Sequence, residues 1–197
     1  MPIYNTMKNT NEQKMELNFQ TVESAPKISS DILDVTIKGF GFAPNLYSLM
    51  ANNPALLDAY TYAYNTFRKN SGLTPVEQEV VFIAAAVENE CHYCVAAHSF
   101  VADNMSGVPK EVTDNLRDRT EISDSKLNAL TVFTQALVKE RGWVSKEQIK
   151  PFIKAGYTKN DILAVITGIG VKTMSNYFNH IMYVPVDEAF SGRVWTS

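Results

Sequence analysis

Apolar residues recur along this chain at intervals of three and four, and helix-capping residues rather than hairpin turns punctuate them. Ser30 is placed to cap "DILDVTIK", with Gly39 closing the segment. "GFGFAPN" reads as a turn that Phe40 and Phe42 anchor into the core, and the short run "LYSLMA" follows it. Asn53-Pro54 opens "PALLDAYTYAYNTFRK", a long amphipathic helix stopped by "NSG". "TPVEQEVVFIAAAVENE" begins with Thr74 at the N-cap, Pro75 at the first helical position and Glu77 three residues after the cap, the capping-box arrangement. "ENE" then interrupts, which sets Cys91 in or near the first turn of a helix running toward Asp103. Ser123 caps "DSKLNALTVFTQALVKER" before Gly142, and Ser145 with Gln148 forms a capping box ahead of "EQIKPFIKA" and Gly156. Thr158 starts "KNDILAVITGIGVKTMSNYFNHIM", which ends by Val184-Pro185.

No segment alternates with period two between hairpin turns, so the predicted fold is all-α. Residues 1–27 read as a polar, flexible leader, with Met15 as an internal candidate start, and residues 28–197 as one compact helical domain with short connections. Within it, Tyr60, Tyr64 and Phe67 share a stripe expected in the core or a subunit interface.

Charge narrows the partners. Lys and Arg number 18 against 21 Asp and Glu, a net charge of -3 that supplies no basic surface for nucleic acid. The longest apolar run, Val80 to Val87, is far shorter than the roughly 20 residues that span a bilayer, and the N-terminus lacks the apolar core of a secretory signal. No membrane partner is expected. Two cysteines in 197 residues are too few for a disulfide scaffold, so the pair reads as chemistry in a reducing, cytoplasmic compartment.

That pair lies in "ENECHYCVAAHS". On a helix, Cys91, Cys94 three residues on and His98 four beyond it share one face. Unpaired N–H groups at a helix N-terminus favour the thiolate of Cys91, or of Cys94 one turn on. A thiol oxidised by peroxide becomes a sulfenic acid, which a neighbouring thiol condenses into a disulfide, and His98 is suited to exchange the proton. Glu79, twelve residues before Cys91, faces the cysteine helix if the two helices pack antiparallel and would then act as a general base in a partly apolar site.

"EVVFIAAAVENECHYCVAAHS" resembles the core motif of the alkylhydroperoxidase D-like proteins, grouped with the carboxymuconolactone decarboxylases, in their peroxidase-related branch. Glu79, Cys91, Cys94 and His98 match its four positions, and "GFAPN", "LTPVE" and "NYFNH" extend the likeness over about residues 28 to 190. The resemblance implies an all-helical homotrimer or homohexamer, and an antioxidant thiol peroxidase or disulfide reductase that uses no metal or flavin and takes its electrons from a dithiol, such as a lipoyl-type one. It also implies that Cys94 attacks the hydroperoxide, Cys91 resolves it to a redox-active disulfide, and Glu79 with His98 relays the proton. The best-known members carry a histidine immediately before the second cysteine; Tyr93 stands there, with His92 one place earlier.

Other readings compete. Two thiols and a histidine are zinc-ligand types, with His180 or a glutamate as a fourth, and a buried inert pair is equally simple. A lactone decarboxylase and a redox- or metal-sensing helical oligomer are the alternative functions. Gly168 and Gly170 follow no strand, so they read as close helix packing or a subunit contact rather than a nucleotide loop. Asn176, Asn179 and His180 fall on one helix, where structural roles are favoured over catalytic ones.

Overall fold

The computed structural model of the protein describes residues 15–196. Nine α-helices and a terminal 3₁₀ segment are present among the described residues: α1 Lys27–Phe40, α2 Asn45–Met50, α3 Pro54–Asn70, α4 Pro75–Glu88, α5 His92–Asn104, α6 Lys110–Asp118, α7 Ser125–Lys139, α8 Lys146–Lys154, α9 Lys159–Met182 and the 3₁₀ turn Glu188–Arg193. The all-α expectation holds.

Helix α4 is the axis of the assembly, with α5, α6, α7 and α9 packed around it. It is buried from Glu77 to Val87, which is why "VVFIAAAV" shows no polar face. Val80, Val81, Phe82, Ile83 and Val87 are fully enclosed, and each side chain contributes about 1.5–3 kcal/mol by leaving water. The Thr74–Glu77 capping box forms at its start, as do the box of Ser145 with Gln148 and a further one of Thr158 with Asp161.

The α4–α5 connection sets the cysteines. Glu90 N–H donates to Val87 O at 3.1 Å and Cys91 N–H to Ala86 O at 2.8 Å, the paired bonds of a Schellman turn. This turn places Glu90 in the left-handed region at φ 55 and leaves Cys91 as the N-cap of α5.

Several boundaries differ from those expected. Helix α1 begins after Pro26 and ends at Gly41, whose φ of 88 closes it, so Ser30 lies inside the helix and donates to Val22 O at 2.6 Å instead of capping. Asp124, not Ser123, caps α7, accepting from Lys126 N and Leu127 N. Helix α6 carried too few apolar residues to stand out; its buried contacts are Val112, Thr113 and Leu116. Residues 1–14 of the leader lie outside the described residues, whereas Leu17, Val22 and Ala25 pack on the core.

Gly168 fits the close-packing expectation, since a Cβ there would sit 2.7 Å from Val81 Cγ1 and 3.0 Å from the Phe67 ring. Gly170 has no neighbour within 4 Å of such an atom. The 3₁₀ turn is pinned across α5 and α6 by Arg193, which pairs with Asp103 at 2.6 Å and Asp114 at 2.7 Å.

Candidate active site

Three helices bring the site together: α4 supplies Glu79, α5 supplies Cys94 and His98, and α9 supplies Lys172, Ser175 and Asn179. The expected antiparallel approach of α4 and α5 is realised, with His98 Nδ1 2.9 Å from Glu79 Oε2. Glu79 is fully buried and fully engaged. Its Oε1 accepts from the Arg68 guanidinium and from Ser106 Oγ, the latter at 3.2 Å. Burial by itself would raise its pKa, but His98 and Arg68 outweigh burial and hold the carboxyl below its ordinary range. Arg68 is fixed in turn by Tyr64 Oη at 2.9 Å and Gln78 Oε1 at 3.2 Å, and its guanidinium lies over the Phe82 ring at 4.8 Å.

The second nitrogen of His98 is also occupied. Nε2 is 2.8 Å from Lys172 Nζ. An ammonium can only donate, so Nε2 accepts and Nδ1 carries the proton given to Glu79. Burial and the neighbouring Lys172 push the imidazole pKa down to about 4, which keeps the ring neutral.

Cys94 sits in the first turn of α5; Asn179 Nδ2 donates to its Sγ at 3.3 Å, and Ser175 Oγ, which donates to Lys172 O, lies 3.6 Å from it. Burial opposes ionisation of this thiol, but the hydrogen bond from Cys91, the Lys172 charge and Ser175 together bring its pKa down to about 6. Cys91 moves the other way: burial and its hydrogen bond to Cys94 raise its pKa well above normal. The Lys172 charge bears on both thiols, whereas Ser175 and Asn179 of α9 lie against Cys94 and favour its ionisation over that of Cys91 at the N-cap. Both cysteines are buried and are not joined in a disulfide.

Buried charges must be matched, and here they are. Glu79 answers Arg68, while among the described residues no ion pair joins Lys172 to a carboxylate. Cys94, whose ionised form the Lys172 charge favours, is the acidic side chain set against it on the cavity wall.

Cys94, His98 and Lys172 stand on the wall of a cavity of about 540 Å³ whose remaining lining is largely apolar, including Ile32, Phe40, Tyr47, Tyr60, Tyr64 and Phe190. The tyrosine stripe thus serves both core and cavity, since Phe67 is buried behind it. Tyr93 Oη donates to Asp187 at 2.6 Å and accepts from Leu46 N at 3.4 Å, so it ties the chain terminus to α2. His92 contacts Trp195 O at 2.9 Å. Among the described residues, no group of three His, Cys, Asp or Glu is disposed to hold a metal.

Of the residues favoured for structure, Asn179 belongs to the site, Asn176 is buried in the helix packing and His180 stacks on Tyr177 at 6.5 Å. Arg68, Lys172 and Ser175 escaped the sequence reading. A lysine inside an otherwise small and apolar stretch of α9, "VITGIGVKTMS", was the available signal for one of them.

Residues 54–135 match the profile of the Carboxymuconolactone decarboxylase family, a span that holds Glu79, Cys91, Cys94 and His98. Over this central segment, under half of its length, the chain is similar to that family. No curated relative matches the chain. Among solved structures, a peroxidase-related protein of Ralstonia eutropha JMP134, described as an alkylhydroperoxidase AhpD core, is similar at TM-score 0.79 and 20% identity, covering 91% of this chain and 97% of its own. A peroxidase-related protein of Silicibacter sp. TM1040 is similar at TM-score 0.78 and 19% identity, with coverage of 95% and 98%. The debrominase Bmp8 in complex with 2,3,4-tribromopyrrole is similar at TM-score 0.72 and 15% identity, with coverage of 94% and 96%. At these identities the likeness establishes the alkylhydroperoxidase D-like fold.

Proposed function

We propose that this protein is a thiol-dependent peroxidase that reduces organic hydroperoxides through the Cys91–Cys94 pair. The observation that carries the reading is the position of Cys94: its sulfur stands at the wall of an apolar cavity, where Cys91, Lys172 and Ser175 lower its pKa to about 6. The thiolate attacks the outer peroxide oxygen, the O–O bond breaks, and an alcohol leaves behind a Cys94 sulfenic acid. Cys91 then displaces water to close the disulfide, which an external dithiol of lipoyl type reduces. Glu79 fixes the tautomer and orientation of His98. The reaction needs neither metal nor flavin.

A cytoplasmic location is the reading that the low cysteine content favours, and no helix among the described residues is long and apolar enough to cross a membrane. Assembly as a homotrimer or homohexamer is supported by the apolar residues that α9 leaves exposed, Leu163, Ile166, Tyr177 and Ile181.

The test is the intact mass of reduced protein after one equivalent of cumene hydroperoxide, timed against free cysteine. The expected result is rapid loss of two hydrogens, abolished by Cys94→Ser, and a stable Cys94 sulfenic acid in Cys91→Ser. A reaction no faster than that of free cysteine rejects the proposal. Decarboxylation of a muconolactone that survives loss of both cysteines would move the decarboxylase reading ahead.

The aromatic cavity and the debrominase neighbour favour one second reading of the same pair, reductive debromination. There, two thiols and a carbon–bromine bond give a carbon–hydrogen bond, a disulfide and hydrogen bromide. Bromide release from 2,3,4-tribromopyrrole by the reduced protein distinguishes it.

A further inference from the structure

Lys172 is 1% exposed, yet it stands on the cavity wall beside Cys94 with Nζ 2.8 Å from His98 Nε2. We infer that Lys172 is the general acid of peroxide cleavage, the group that protonates the oxygen leaving as Cys94 attacks. The assignment rests on the peroxidase reading and names the proton donor within it.

The geometry excludes the more obvious donor. His98 gives its single proton, on Nδ1, to Glu79, and its Nε2 lone pair is taken by Lys172, so the ring has no N–H to offer the cavity. Lys172 has three N–H groups; one serves His98, and the others remain for Cys94 and a peroxide oxygen bound against it on the same cavity wall. The relay that begins at Glu79 therefore ends at Lys172.

Atoms and charges balance around the cycle. The Cys94 thiolate takes the outer oxygen of R–O–OH as hydroxyl, the O–O electron pair leaves on R–O⁻, and Lys172 supplies a proton to give R–OH and a neutral amine. That amine accepts the Cys91 thiol proton and returns it to the hydroxide expelled from Cys94 as the disulfide forms, releasing water. A dithiol then reduces the disulfide to two thiols, and Cys94 passes its proton to Lys172, restoring thiolate and ammonium. The titratable and charged groups facing the ammonium are Cys94 and His98 from α5, with Glu79 and Arg68 behind His98, and Tyr60 and Tyr64 across the cavity.

The test separates proton donation from thiolate stabilisation by changing the leaving group. Cumene hydroperoxide expels an alkoxide that needs a proton, whereas peroxyacetic acid expels acetate, which does not. Rates of Cys94 oxidation are measured by rapid-quench intact mass at pH 9, where the thiol is ionised in every variant that retains a positive charge. Lys172→Met is expected to lose about 100-fold or more with cumene hydroperoxide and only a few-fold with peroxyacetic acid, compared at equal thiolate fraction from absorbance at 240 nm. Lys172→Arg, which keeps the charge but holds its proton too tightly to donate it, should show the same split, and it carries the test if Lys172→Met fails to fold. Equal losses on both oxidants, or no loss on either, overturn the assignment. If the unaltered protein reacts with neither oxidant faster than free cysteine, the peroxidase reading itself has failed.

Discussion

Asn179 Nδ2 donates to Cys94 Sγ at 3.3 Å, joining residues 85 positions apart. The same amide donates to Ser175 O at 2.8 Å, one turn back on α9, so its direction is fixed by the helix it belongs to. A hydrogen bond to the charged form lowers a thiol pKa. Asn179→Leu should therefore raise the Cys94 pKa by roughly one unit and slow peroxide oxidation several-fold at pH 6 while changing little at pH 9. Absorbance at 240 nm against pH reads it, and an unmoved midpoint would show that the contact carries no weight.

Oxidation of the wild-type protein should depend on pH with a midpoint near 6, the Cys94 value, and be flat above about 7. Free cysteine, at about 8.5, continues to accelerate there. A rate that tracks free cysteine through this window contradicts the ionised site.

Stability should fall on the acid side. Cys94 and Glu79 have folded pKa values below their unfolded ones, so each contributes stability that is complete above the unfolded value and lost as pH falls through the folded one. For His98, lowered from 6.5 to about 4, the unfolded chain takes the proton first, so its contribution also disappears between those values as pH drops. Denaturant midpoints should therefore decrease steadily from pH 7 to pH 4.

Glu79→Gln leaves Arg68 buried without its carboxylate. Removing one partner of a buried pair costs about 3–5 kcal/mol. Urea unfolding is expected to show a loss of this size, and Arg68→Met combined with Glu79→Gln should recover part of it, since the double change removes both charges. Additive losses would mean that the two residues act separately.

Gly168 and Gly170 give a matched pair on one helix. Gly168→Ala forces a methyl group against Val81 and Phe67 and should destabilise by about 1–3 kcal/mol, whereas Gly170→Ala meets nothing and should stabilise by up to about 1 kcal/mol. Thermal midpoints that move in opposite directions check both.

The cavity can be closed without touching the reacting groups. Ala97 lines it one residue before His98. Ala97→Phe should slow oxidation by cumene hydroperoxide roughly tenfold and leave hydrogen peroxide, which needs little room, nearly unaffected. Equal effects on both would place substrate entry elsewhere.

Local signals in the sequence determined most of the helices, because capping residues such as Thr74, Ser145 and Thr158 act on hydrogen-bond donors within three residues of themselves. They also determined the spacing of Cys91, Cys94 and His98 on one helix, and with the family likeness they pointed to Glu79. Helix α6 was hidden because few of its residues are apolar, and the start of α1 because Ser30 turned its hydroxyl back to Val22 rather than to a helix end. Which cysteine the surroundings favour for ionisation depends on tertiary packing. The packing of α9 sets Ser175 and Asn179 against Cys94 and brings the Lys172 charge to bear on it. The pairing of Arg68 with Glu79 and of Lys172 with His98 depends likewise on where separate helices cross, and a buried charge finds its partner across that crossing rather than along the chain.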